Sequence, residues 1–265
     1  MRRQLLKNLL PALLLCLCAA PAASAQDFQR TYNLAPGGAI QIRNVSGDIN
    51  ITGYDGNSIS VTAFKEGRDR DKVQVEDLST PERVSLRAKY EEDCNCDAGL
   101  RFEVKVPRSV RYNFDRVTTA SGDLRASNVT GRLHFQTASG QVELQGVSGE
   151  IDAGSASGNV RVRDAAGLVR ASTASGDVEV ELTRLEGSGD MKFSSASGNV
   201  AVRMPSGTDA RVFLSTLSGS IDTNFPIEVE KTQHGPGQRA RGQLGAGTRE
   251  LRATSASGNV SLKTL

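Results

Sequence analysis

TASGDLRASNVTGRLHFQTASGQVELQGVSG, residues 119–149, turns on glycine at even intervals of nine: Gly122, Gly131, Gly140 and Gly149. Glycines at 158, 167 and 176 continue the count without a slip. The phrasing alternates. TASG or SASG ends on Gly122, Gly140, Gly158 and Gly176, whereas VTG, VSG and AAG end on the glycines between them. The true repeat is therefore 18 residues, made of two unequal halves. An earlier copy centres on Gly47, and looser ones on Gly198, Gly219 and Gly258. Repetition at a fixed period marks a repeat architecture, in which each unit buries its apolar face only against its neighbours.

The residues between the turns identify the element that repeats. Each strong turn leads into an apolar-x-apolar run: Leu124 and Ala126, Val142 and Leu144, Val160 and Val162, Val178 and Val180. Each weaker turn leads into Leu133 and Phe135, Ile151 and Ala153, or Val169 and Ala171. Period-two alternation over so few residues is a half-buried strand. Two strands and two turns per repeat predict an all-β parallel β-solenoid of about 18 residues per coil, with successive coils about 4.8 Å apart. The rival is a sandwich of antiparallel hairpins, which would pair adjacent nine-residue units instead of positions i and i+18. Glycine and the Asp or Asn after it suit left-handed corners, and the Ser or Thr before it can bond turn amides. The inward residues are mostly Val, Leu, Ile and Ala, with no Trp in the chain, which fits a thin interior.

Stacking at 18 residues also predicts an outward charge column, Arg125, Glu143, Arg161 and Glu179, alternating in sign. Opposite charges on neighbouring strands favour the register by about 0.2–1 kcal/mol per contact. The residues after the strong glycines are Asp123, Gln141, Asn159, Asp177 and Asn199, so neutral amides separate the acids.

Outside the strict repeat, residues 26–118 read as an irregular N-terminal β cap continuous with the repeats of 119–265. KTQHGPGQRARGQLGAG, residues 231–247, reads as an exposed basic loop; a phosphate cradle lacks the strand-to-helix context it needs. Residues 1–25 read as an export signal: Arg2, Arg3 and Lys7, an apolar run, and Ala23-Ser24-Ala25 as the cleavage site. Pro11 interrupts the apolar run, which is too short to span a bilayer. Leu15 and Leu17 stand where lipidation of Cys16 or Cys18 would need a small residue. Whether export follows the general or the twin-arginine route stays open.

Cleavage removes three cations and no acid, so 32 basic and 30 acidic residues become 29 and 30, a net charge of −1. The apparent basicity belongs to the signal, which argues against a nucleic-acid partner. No later segment is apolar enough for a transmembrane span, and the mature chain is expected in the periplasm or at the cell surface. Cys94 and Cys96 remain after cleavage and can pair in an oxidising compartment. Asp93 and Asp97 flank them, but two thiols without a histidine make a poor metal site.

IRNVSGDINITGYDGNSISV, RFEVKVPRSVRYNFDRVTTASGDLRA and GAGTRELRATSASGNVSLKTL, in that order, resemble a bacterial "putative adhesin" family with β-strand repeats, whose domain has no assigned function. The resemblance covers nearly all of 26–265 and implies an exported β-solenoid. It brings no catalytic residues with it.

Function is therefore expected to be non-catalytic: an exported scaffold or adhesin-like surface for an envelope protein or a glycan, without cofactor or metal. The alternative is a polysaccharide-active β-helix enzyme. Sugar subsites favour aromatic platforms, and this chain has no Trp and four Tyr. Only two histidines exist, His134 at an outward repeat position and His234 in the glycine-rich loop, and both read as surface residues. Glu150 and Asp152 share a strand face but lack pocket walls. A calcium roll would need Gly-Gly-x-Gly-x-Asp in successive units, whereas each turn here has one glycine.

Overall fold

The computed structural model describes residues 27–187, 189–232 and 235–265; the expected export signal and His234 lie outside the described residues. Among the described residues there are 22 strands, one 3₁₀ turn at Arg70–Lys72 and no α-helix. The first seven strands are β1 Phe28–Tyr32, β2 Ala39–Arg43, β3 Ile49–Tyr54, β4 Ile59–Glu66, β5 Val73–Asp77, β6 Arg83–Tyr90 and β7 Gly99–Pro107. The repeat region supplies β8 Arg111–Ser121, β9 Leu124–Ser127, β10 Thr130–Ser139, β11 Val142–Gln145, β12 Ser148–Ser157, β13 Val160–Ser175, β14 Val178–Arg184, β15 Met191–Ser197 and β16 Val200–Met204. The last six are β17 Ala210–Ser218, β18 Ile221–Thr223, β19 Val229–Lys231, β20 Gln238–Leu244, β21 Glu250–Ser257 and β22 Val260–Thr264.

The fold is all-β and solenoid-like. Thr130 lies opposite Ser148, Leu133 opposite Ile151 and Phe135 opposite Ala153, all in parallel strands. Ile151 in turn faces Val169, so the offset of 18 recurs. After the strong turns, Leu124, Val142, Val160 and Val178 form a second continuous row. Two faces result, one of strands that end in a strong turn and one of strands that follow it, with β13 bending from the second face into the first. Side chains that point between the faces are buried almost without exception. Phe102, Phe114, Phe135 and Phe193 stand fully buried among the small aliphatics. One inward row shows how the rings fit: Phe135, Ala153, Ala171, Phe193 and Ala253 are successive neighbours, so small residues make room for large ones.

The corner explains the repeated phrase. At Gly122, Gly140, Gly158 and Gly176, φ lies between +140° and +151°, where a side chain is strained. Crowding adds a second demand for glycine: a Cβ on Gly158 would sit 2.0 Å from the Gly140 carbonyl oxygen, and one on Gly140 2.0 Å from that of Gly122. The Thr or Ser three residues before each glycine turns inward, where it is nearly excluded from water. Its hydroxyl donates to the glycine carbonyl of the preceding coil, at 3.1 Å from Thr137 to Gly122, 2.9 Å from Ser155 to Gly140 and 2.8 Å from Thr173 to Gly158. A buried carbonyl left unpaired would cost about 1–3 kcal/mol, so the hydroxyl column protects a corner at which the sheet ladder is interrupted. The Asp or Asn after the glycine forms a second column. Asp123 Oδ1 accepts from the Gln141 amide at 2.8 Å, Asn159 Oδ1 from Asp177 at 2.8 Å and Asp177 Oδ1 from Asn199 at 2.7 Å.

At the ends, stacking order departs from chain order. The first face runs β5-β6-β2-β8-β10-β12-β13-β15-β21-β17-β20-β19. The second runs β1-β4-β7-β3-β9-β11-β13-β14-β16-β22-β18. The coil built from β2 and β3 thus lies between β6–β7 and β8–β9. The last coil, β21–β22, lies between β15–β16 and β17–β18. The hydroxyl column records the same order, since Ser255 bonds Gly198 and Thr216 bonds Gly258. Residues 26–118 contribute two such layers and the outer strands β1, β4 and β5. All three of those pair antiparallel, as do β19 and β20 at the opposite end. Short, charged outer strands such as Val229–Lys231 discourage further strand addition.

One expectation is corrected. The sequence of 231–247 predicts an exposed loop, but 238–244 form β20 against β17. Alternation survives there in sparse form: Ala240 and Leu244 are buried, and Gly242 makes room for Ile227. Charge and glycine content hid a two-residue apolar face.

Candidate binding surface

Because every coil has the same register, the outward side chains form straight rows across the strands. The predicted column is in place as a row: Arg125 opposite Glu143, Glu143 opposite Arg161, and Arg161 opposite Glu179. Its contacts are less regular than its order. Arg161 reaches Glu179 at 3.4 Å, but Glu143 meets Arg163 at 3.8 Å. Arg125 turns away to Asp48 at 2.9 Å and Asp123 at 2.5 Å, and together with Glu143 these carboxylates hold its guanidinium above its ordinary pKa against the cost of burial.

The other candidate groups lie on the open first face or in loops. His134 Nδ1 stands 3.3 Å from Asp152, and Glu150 lies between Arg132 at 3.3 Å and Arg170 at 3.1 Å. The two Glu150 contacts are ion pairs, and the whole cluster lies on a half-exposed sheet surface. Cys94 and Cys96 are bonded to each other, with Cα atoms 5.1 Å apart, in the loop between β6 and β7. Arg68 holds neighbouring Asp97 at 2.9 Å. The repeat-turn glycines Gly47, Gly122, Gly140, Gly158, Gly176, Gly198, Gly258 and Gly219 form a single stacked line along one corner, each crowding the carbonyl of its neighbour. The corner acids Asp123 and Asp177 accept amide hydrogens from the next coil, which turns their carboxylates toward the backbone. No group of three His, Cys, Asp or Glu suited to hold a metal occurs among the described residues.

Residues 39–263 match the family model Toastrack DUF4097. The chain belongs to that family. Among solved structures it is similar to a "putative cell adhesion protein" from Clostridium sporogenes, at 10% identity over 90% of this chain and 99% of that one, with a TM-score of 0.37. It is also similar to a "putative adhesin" from Bacteroides fragilis, at 14% identity over 90% and 96% of the two chains, TM-score 0.37. A third, from Parabacteroides distasonis, shows 12% identity over the same shares and a TM-score of 0.36. No curated protein matches the chain.

In this Toastrack chain several shallow depressions lie on the sheet faces. One has a volume of about 620 Å³ and is lined by Arg211, Phe213, Arg241, Gln243, Glu250 and Arg252. The sequence reading missed it. Its residues come from three strands whose order in space, β21-β17-β20, reverses part of their order in the chain. The available signal was the alternation in ARVFL and ELRAT, which marks Phe213 and Arg252 as outward.

Proposed function

We propose that this chain is a non-catalytic, exported envelope protein whose two-strand coil of about 18 residues acts as an adhesin-like binding surface. The supporting observation is the set of outward rows held in register by the glycine, hydroxyl and Asx columns at the corner. Rows of this kind present charge and hydroxyl groups at a constant spacing over many strands. Such an array suits an extended ligand better than a small substrate, whose chemistry needs a concave, water-excluding site. Export rests on the signal-like residues 1–25, and no described helix is long and apolar enough to cross a membrane. The test is a glycan array and a turnover screen on the same purified chain. Saturable binding without product release supports the reading. Release of products from uronate polymers or peptidoglycan overturns it.

A further inference from the structure

Where the C-terminal coil is inserted, the first face carries a row that chain order conceals. Arg170 lies opposite Lys192, Lys192 opposite Arg252, Arg252 opposite Phe213 and Phe213 opposite Arg241. All point outward, one strand spacing of about 4.8 Å apart. Arg252 and Arg241 flank the Phe213 ring, with guanidinium carbons 4.5 and 5.3 Å from its centroid. Like charges on adjacent strands oppose pairing. Yet only Arg170 and Arg252 have carboxylate partners, Glu150 at 3.1 Å and Glu250 at 2.8 Å. Among the described residues, Lys192 and Arg241 have none within ion-pair distance. A second row runs alongside, two residues further along each strand: Ser172, Ser194, Thr254 and Ser215. Over it lies a shallow trough of about 610 Å³, bordered by Ala174, Ala196 and Ala256.

We propose that this part of the first face binds a carboxylated polysaccharide laid across β13, β15, β21, β17 and β20. Both rows cross the strands, so their occupant is a linear polymer running perpendicular to them. An added peptide strand would run along the strands and needs a free sheet edge. Single-stranded nucleic acid needs successive aromatic platforms for its bases, and Phe213 is the one aromatic in the row. Pyranose rings repeat at close to the strand spacing, so uronate carboxylates recur at one or two strand intervals. Their hydroxyls then face the Ser and Thr row, and one ring face can stack on Phe213. The proposal names the ligand class for the binding surface proposed above and rests on that reading.

The test measures binding of the full chain to polygalacturonate, to its methyl ester, to polyglutamate and to single-stranded DNA. Three chains are compared: the native chain, the triple variant Lys192→Ser/Arg252→Ser/Arg241→Ser, and a second-face control, Arg161→Ser/Arg163→Ser. The expected result is saturable binding of polygalacturonate, weakened at least tenfold in the triple variant, kept in the control and lost on esterification. Should the triple variant fail to fold, Lys192→Ser alone must weaken binding at least twofold, since that side chain has no ion-pair partner to lose. No binding of polygalacturonate, equal loss in the control, or equal affinity for polyglutamate or DNA overturns the proposal. If a neutral glycan binds instead, with loss in the second-face control, the binding-surface reading survives and this ligand class does not.

Discussion

Between Gly122 and Gly176 each coil lies against the coil that precedes it in the chain, whereas at both ends the order is shuffled. There the first and last coils lie one layer inside the stack, and antiparallel strands close it outside them. The regular region is held by identical contacts repeated every 18 residues, which makes it tolerant of length but exposed at its termini. The shuffled ends contribute contacts between residues distant in the chain, such as Ser255 with Gly198 and Gly47 with Thr119. A simple stack frays from its last coil. Here β21 and β22 are paired on both sides, so fraying at the C-terminal end breaks two ladders at once.

The largest effect comes from attacking that difference directly. Removing residues 250–265 deletes β21 and β22 and leaves β15–β16 and β17–β18 without their shared neighbour. The expected loss is more than about 5 kcal/mol, a large part of a domain's whole stability, read as loss of a single cooperative urea transition. A near-native transition would show that the inserted coil is an accessory. Next in size is Gly158→Ala, which places a Cβ 2.0 Å from the Gly140 carbonyl oxygen at φ +151°. With strain and backbone clash together, about 3–5 kcal/mol is expected. Gly207 has open space around it and no left-handed φ, so Gly207→Ala should stay within about 0.5 kcal/mol. Equal effects at the two sites would remove the corner from the account of the repeat.

At the N-terminal end the comparison sharpens around Asp77, whose side chain is 10% exposed. Burial alone would raise its pKa. Hydrogen bonds from Ser79, Arg30 and Tyr32 outweigh that and hold it at about 2. The same packing pushes the Tyr32 hydroxyl upward, mainly through burial and then through its bond to Asp77 at 2.7 Å. A carboxylate with a depressed folded pKa contributes stability above its unfolded value of about 3.9, and the contribution is lost as pH falls toward about 2. Asp77→Asn is therefore expected to cost about 1–2 kcal/mol at pH 7 and progressively less below pH 4. Urea midpoints of the two chains should converge at low pH; a gap independent of pH would assign the loss to packing.

The coil was legible because glycine spacing, period-two alternation and the polar residue after each strong-turn glycine reported one offset. The same glycines also named the corner, although the hydroxyl bonds to the preceding coil's carbonyls needed coordinates. Stacking order at the ends was not legible. SASG at Gly198 and Gly258 and TLSG at Gly219 share one phrase, and a phrase says that coils stack but not which lies next to which. The basic row followed the same fate, since Arg252 stands beside Lys192 only after the last coil is inserted. β20 was lost for a different reason: Ala240 and Leu244 bury too little area for alternation to outweigh the two arginines and the glycine among them.

The smallest effect tests how much the charge column adds to a register that the corners already set. Glu143→Arg combined with Glu179→Arg makes all four column positions cationic and removes the contacts of Glu143 with Arg163 and of Glu179 with Arg161. These side chains are a third to a half exposed, so solvent screens them. About 1 kcal/mol or less is expected, a fall in melting temperature of roughly 2–4 °C for a domain of this size. Salt discriminates the cause: a repulsive loss shrinks as the Debye length falls toward about 3 Å at 1 M, whereas a steric loss does not. A salt-independent fall as large as that of Gly158→Ala would mean that the outward charges, and not the crowded glycine line, hold neighbouring coils in step.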